Sequence, residues 1–211
     1  MKFSPTRNQV LTRDNTDTYT PSADYHPSTK KYVDDNTTSG SAYIFISSTT
    51  ATDVASVSFT NLSSTYAKYV LEFIDYIPET DTTDIIIRTS SDNGSNYDVG
   101  ASDYSWAIEY FGMGTASGSV NDGADTGIKI FPAAGNVGAE KVNGSIEITS
   151  HDTTKYTSVS YHGVGQSADG FNYSYVGGGV RLSAADVDAI QVLSSSGNIN
   201  GIFKLYGIKA S

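Results

Sequence analysis

The sequence predicts an all-β protein: an antiparallel, jelly-roll-like β-sandwich carried on an extended N-terminal arm that holds one short helix. Three observations predict it. Tyr occurs 15 times and Met only twice, and the apolar side chains are largely aromatic or β-branched. Such side chains fit a pleated, half-buried surface better than a helix. Short apolar or alternating runs recur at fairly regular spacing, separated by polar, Gly-rich turns, and 20 glycines supply those turns. The first 40 residues break the pattern: they hold no Ile, no Trp and a single Leu, Leu11.

The arm is expected over residues 1–40 and the sandwich over 41–211. Polar runs such as Arg13–Thr18 bury too little apolar area to offset chain entropy, so the arm should order only where it lies on something. Its one helical candidate is Pro27–Asn36. Pro27 suits a first turn, and Tyr32 and Val33 give a small apolar side. A helix this short needs a neighbour.

The strands follow in order. Tyr43–Ile46 is a continuous apolar run, as for a strand buried on both faces. Val54–Phe59 alternates. Tyr69–Ile77 is the longest candidate, closed by Pro78, which lacks a ladder donor. Ile85–Arg88 follows, and Asn93-Gly94 marks a tight turn, read as a hairpin. Further candidates are 106–113, 128–131, 144–149, 156–162, 171–182, 189–193 and 201–208. That makes about eleven strands, more than an immunoglobulin-type sandwich, which favours a jelly roll. Beyond the arm, only single turns near Leu62–Tyr66 and Ser183–Asp188 have any helical character.

With no cysteine, disulfides, thiolate zinc sites and cysteine nucleophiles are excluded. Met1–Val10 lacks the apolar run of a signal peptide, and no stretch has the length of a transmembrane helix, so neither export by that route nor a membrane partner is expected. The net charge of −10 disfavours nucleic acid as a partner. Charge is uneven: residues 69–128 hold eleven acids and one base, Arg88, whereas Lys2, Arg7 and Arg13 open the chain without an acid. The acidic stretch reads as a solvated surface, with cation binding as the sharper alternative.

Catalytic signals are weak. His26 lies in the arm, His151 in a turn and His162 at a strand end, and no Gly-x-Ser-x-Gly elbow is present. Asp75, Asp84, Asp103 and Glu109 are carboxylate candidates by abundance alone. Asp92–Asp98 fails the calcium-loop pattern, because its glycine comes third rather than sixth. No catalytic residue, metal or cofactor is therefore expected. Gly177, Gly178 and Gly179 interrupt a strand, which suggests a bulge or a close backbone approach, and in an oligomer a subunit contact. Tyr97, Tyr104, Trp106, Tyr110, Tyr161, Tyr173 and Tyr175 read as core or subunit interface in preference to a sugar-stacking surface.

Two sets of residues carry a resemblance. Ser22-Ala-Asp-Tyr-His-Pro-Ser-Thr-Lys-Lys-Tyr-Val-Asp-Asp35 is similar to a segment common near the N-termini of bacteriophage fibre and appendage proteins. Ser58–Leu62, Tyr69–Phe73, Arg88–Gly94 and Ser195–Lys209, closing on Gly201-x-x-x-Leu205-Tyr206-Gly207-Ile208, resemble a β-sandwich domain of phage structural proteins. The resemblance implies a homotrimer on the virion surface and no catalytic set. A fibre shaft is not visible: the sequence has no repeat or coiled coil. The expected function is thus a non-enzymatic capsid decoration, or cement, protein, partnered by the major capsid protein of the head. Its arm, through Lys2, Arg7, Arg13, Tyr32 and Val33, anchors on the shell; Gly177–Gly179 are candidate trimer contacts. The alternative is a short tail fibre or adaptor that binds a host receptor glycan.

Overall fold

The computed structural model describes residues 43–149 and 153–209. The arm, its helix, Lys2, Arg7, Arg13, Tyr32, Val33, His26 and His151 lie outside the described residues. Among the described residues the fold is all-β, without a helix, and consists of two antiparallel sheets in a sandwich-like arrangement.

Twelve strands are described: β1 (Ile44–Val54), β2 (Ser56–Phe59), β3 (Tyr66–Pro78), β4 (Thr83–Ser90), β5 (Tyr104–Met113), β6 (Gly118–Asp125), β7 (Ile128–Ala134), β8 (Val142–Thr149), β9 (Ser158–Gln166), β10 (Asn172–Arg181), β11 (Ala189–Ser194) and β12 (Ile199–Lys209). An eight-stranded sheet runs β1-β12-β3-β8-β9-β10-β5-β6, and a four-stranded sheet runs β2-β11-β4-β7. Only β5–β6, β8–β9 and β9–β10 are consecutive strands that pair; every other connection passes from one sheet to the other.

Alternation builds the core. In β9, Val159 and Tyr161 are buried while Ser158, Ser160 and His162 are exposed; in β4, Ile85 and Ile87 are buried and Ile86 and Arg88 less so. The two inner faces bring Leu71, Phe73, Ile146, Tyr175, Phe203 and Leu205 of the large sheet into one apolar cluster with Val57, Ile85, Ile87, Ile130 and Val192 of the small one. Period-two alternation puts one set of side chains between the layers, where burial of apolar area is the main stabilising term.

Four expectations need correction. First, Tyr43–Ile46 is not buried on both faces: Tyr43, Phe45 and Ile46 are 53%, 57% and 39% exposed. The run opens β1, which is an edge strand, so its apolar character does not report a central position. Second, Val54–Phe59 is not one strand. Asp53 takes a φ of 54°, and a register shift between Ala51 and Val54 ends β1 as the chain crosses to the small sheet. Asn200 Oδ1 holds this corner by accepting the Asp53 N–H at 2.9 Å. Third, β6 was not foreseen. Its residues, Gly-Ser-Val-Asn-Asp-Gly-Ala-Asp, carry one large apolar side chain, Val120, because an edge strand with little to bury needs no more. Fourth, Asn93-Gly94 forms a tight turn but not a hairpin. Both residues have positive φ, 58° and 79°, as a type I′ turn requires, and the Ser95 N–H donates to Asp92 O at 3.3 Å. The strands before and after it, β4 and β5, lie in different sheets.

Candidate functional site

The groups that chemistry would use are mostly committed to local structure. Asp75 meets Lys141 at 2.7 Å and Asp84 meets Lys129 at 2.6 Å. Asp103 accepts the Gly100 N–H at 2.6 Å, closing a turn. Glu109 stands exposed on the outer side of β5. His162 is exposed in β9, on a rung between Ser145 and Val176, well inside the ladder and away from the β8–β9 turn. Among the described residues, no group of three or more His, Asp or Glu side chains is placed to hold a metal ion.

The Asp92 loop shows the same commitment. Asp92 Oδ1 accepts from Ser90 Oγ at 2.7 Å and from the Asn96 N–H at 2.8 Å, and Oδ2 accepts from Asn96 Nδ2 at 2.7 Å. These donors, the Asn96 side chain foremost, hold the Asp92 carboxyl at about 2, well below the usual carboxylate range. A short step away, Arg181 and Asp98 form a two-bond fork, with Nε to Oδ2 at 2.6 Å and Nη2 to Oδ1 at 3.2 Å. Arg181 is only 6% exposed and also donates to Ser183 O at 2.9 Å. Its pKa is raised, first by the hydrogen bond to Asp98. Thr89 Oγ1 donates to Asp98 Oδ2, and Tyr104 Oη accepts the Thr89 N–H at 2.8 Å. This network ties the β4–β5 crossover to the end of β10.

Of the aromatics named from the sequence, all but Tyr97 belong to the core or pack against it. Tyr104, Trp106, Tyr161, Tyr173 and Tyr175 are buried, and Tyr97 and Tyr110 are half-buried. Tyr173 and Tyr175 stand 5.7 Å apart, and Phe131 of the small sheet packs on Tyr175 at 4.1 Å between ring centroids. The Trp106 indole N–H donates to Asp125 Oδ2 at 2.9 Å. This arrangement leaves none of the five buried rings open as a stacking platform.

Gly177, Gly178 and Gly179 lie in β10, between β5 and β9, with an unbroken register on both sides. There is no bulge. Close approach is the reason for glycine: a Cβ on Gly179 would stand 2.5 Å from Ile128 Cγ2, and one on Gly178 would stand 2.8 Å from Val159 O. Alternation along β10 puts Gly178 on the outer side of the sheet and its two neighbours toward the core.

What remains open is the outer face of the eight-stranded sheet. At its β1 side Phe45 and Tyr43 lean edge-on to Tyr206, at 5.7 Å and 6.4 Å, with exposed Ile202 nearby in β12. At its other side Phe111, Met113, Val164 and Val176 are exposed on β5, β9 and β10. The pairing Phe111–Ser174–Val164 places two of these on one cross-strand rung. These two groups of exposed apolar side chains make the face a candidate interaction surface. Sequence reasoning missed it, because an apolar residue in a strand reads as core until its face is known. A second opening lies between the edges of the two sheets. It is a cleft of about 270 Å³ whose lining includes Ile46, Ser47, Thr49, Phe59, Leu62 and Tyr69, and none of its lining residues is charged.

No protein-family model, curated protein or solved structure matches the chain.

Proposed function

We propose that the chain is a non-enzymatic decoration, or cement, protein of a bacteriophage head. In this reading the strands form a jelly-roll-like knob, three copies assemble through the knob, and the N-terminal arm anchors each copy on the major capsid protein. The observation that carries the reading is the outer face of the large sheet. Its exposed apolar side chains suit contact with other protein, while Asp75, Asp84 and Asp103 are tied into turns and ion pairs and five of the seven aromatic rings named from the sequence are buried. The resemblance supports the same reading: Ser58–Leu62 spans the end of β2 and the residues after it, Tyr69–Phe73 falls on β3, and the closing Gly201–Ile208 motif is most of β12. Gly178 keeps its place as a candidate trimer contact, being the outward member of the glycine run.

A short tail fibre or adaptor is the second reading, favoured by the likeness of Ser22–Asp35 to fibre N-termini. One experiment separates them. Particles lacking the protein should lose heat or salt resistance yet adsorb normally if it is cement. Normal heads with failed adsorption would overturn that reading in favour of a receptor binder.

A further inference from the structure

A two-sheet sandwich has four edge strands, and each edge is a template for another strand unless something blunts it. Among the described residues the edges are β1 and β6 of the large sheet and β2 and β7 of the small one. Three are blunted. β2 has four residues. β7 carries Pro132, which has no N–H to offer. β6 carries Asp122 and Asp125 and two glycines, and its only neighbour among the described residues, β5, adds exposed Glu109.

The remaining edge, β1, is eleven residues long. Register shifts interrupt it at Phe45/Ser47 and Ala51/Val54, but Ser47–Ala51 pair in unbroken register with Leu205–Gly201 of β12. This middle run has no charge, no proline and no glycine. Ser48, Thr49 and Thr50 are exposed. Ser47 and Thr49 point toward the cleft between the sheets, and Ser48 and Thr50, opposite Lys204 and Ile202, lie on the outer side. A strand added beside β1 would hydrogen-bond to a backbone edge that has no ladder partner among the described residues and would cover the mouth of that uncharged cleft, the pattern of strand-addition sites.

We infer that the β1 edge pairs with the β1 edge of a second copy of this chain, antiparallel about a two-fold axis near Thr49, joining two eight-stranded sheets into one. Charge selects the partner. Copies of a chain with net charge −10 repel one another, so they meet best where the edge is neutral. Pairing β6 with itself would bring aspartates together, whereas pairing β1 with itself sets Thr49 against Thr49 and Ser48 against Thr50. Hydroxyl pairs of this kind are favourable cross-strand neighbours, and like charges are not. The exposed Phe45 and Ile46 border the same edge and lose solvent when it is covered. Such a contact is isologous and two-fold, so it is additional to the three-fold assembly proposed above and would link copies of neighbouring trimers.

The test uses the full-length chain, which has no cysteine of its own. Directly opposed residues of antiparallel strands lie within disulfide range. Thr49→Cys should give a disulfide-linked dimer under mild oxidation at least tenfold faster than Asn121→Cys, which places the thiol on the β6 edge. Equal rates overturn the inference. Adding Ser48→Lys and Thr50→Lys to Thr49→Cys should suppress linkage, and so should the matching pair of glutamates. Mixing the lysine form with the glutamate form should restore it at least tenfold over either alone, which also establishes that both are folded. A mixture no faster than its components overturns the two-fold pairing. The three-fold assembly is read separately, as the mass of the reduced protein by light scattering, so either contact can fail without the other.

Discussion

Tyr161→Phe should stabilise the protein. Tyr161 is 4% exposed, and its hydroxyl is buried without a hydrogen-bond partner among the described residues. Burial, with a smaller contribution from Tyr175, raises its pKa, so the hydroxyl stays neutral and the cost it carries is that of a desolvated dipole. A buried polar group left unpaired costs about 1–3 kcal/mol. Removing one oxygen gives up a few dispersion contacts, so a net gain of about 1–2 kcal/mol is expected. For a domain of this size that corresponds to a Tm higher by about 3–6 °C. The assay is thermal unfolding followed by circular dichroism, with urea unfolding to verify an unchanged m-value. Tyr104→Phe is the control of opposite sign. It removes the acceptor of the buried Thr89 N–H and should cost about 1–3 kcal/mol. A lower Tm for Tyr161→Phe would refute the reasoning, since it would mean that the hydroxyl is satisfied in the folded protein. Equal losses in both variants would mean that Tyr→Phe effects here report packing rather than hydrogen bonding.

Two further outcomes follow from the geometry. Gly179→Ala should lower stability by about 1–3 kcal/mol through overpacking, because the new Cβ meets Ile128 Cγ2 at 2.5 Å and Ser105 O at 2.9 Å. Gly123→Ala, where a Cβ meets nothing within 4 Å, should be close to neutral in the same denaturation assay. Asp92 should titrate at about 2 by carbon NMR of its carboxyl. Because the folded value is depressed below 3.8, its contribution is fully present above that pH and is lost as pH falls through about 2. The stability gap between the native chain and Asp92→Asn should therefore be constant above about pH 4 and close between about pH 4 and 2. A midpoint left near 3.8 would show that the Asn96 and Ser90 donors do not hold the loop in solution.

The strands were legible to the extent that they bury side chains. β3, β4, β9 and β12 announce themselves because one face of each must meet the other sheet, and that need writes Leu71, Ile85, Tyr161 and Phe203 into alternating positions. β6 lacks the need and so lacks the signal. Partners were not legible at all. β3 pairs with β12 and β8, strands far from it in the chain, and nothing in Tyr69–Ile77 names either one. Turn chemistry was legible but ambiguous: Asn93-Gly94 dictates two residues of positive φ, and whether the chain then returns beside β4 or crosses to the other sheet is decided by what β5 packs on. The outer apolar face was hidden for a related reason. Phe111 and Tyr110 are neighbours in sequence and similar in kind, yet one is exposed and the other packs against the core.

The acid-rich stretch illustrates what composition alone leaves open. Eleven acids against one base over residues 69–128 suggest a field of free negative charge. The fold disperses it. Asp75, Asp84 and Asp98 each meet a base from outside the stretch: Lys141, Lys129 and Arg181. Asp92 and Asp103 accept backbone N–H groups in their own loops, and Glu79 accepts the Asn198 N–H across the start of β12. Asp125 takes the Trp106 indole and the Thr126 N–H. Loops that cross between sheets leave backbone donors without ladder partners, and short carboxylate side chains supply acceptors at those places. Much of the charge is thereby held in local hydrogen bonds and ion pairs, while the middle of β1, Ser47–Ala51, carries no charge at all, and that neutral edge is where an acidic protein can meet its own kind.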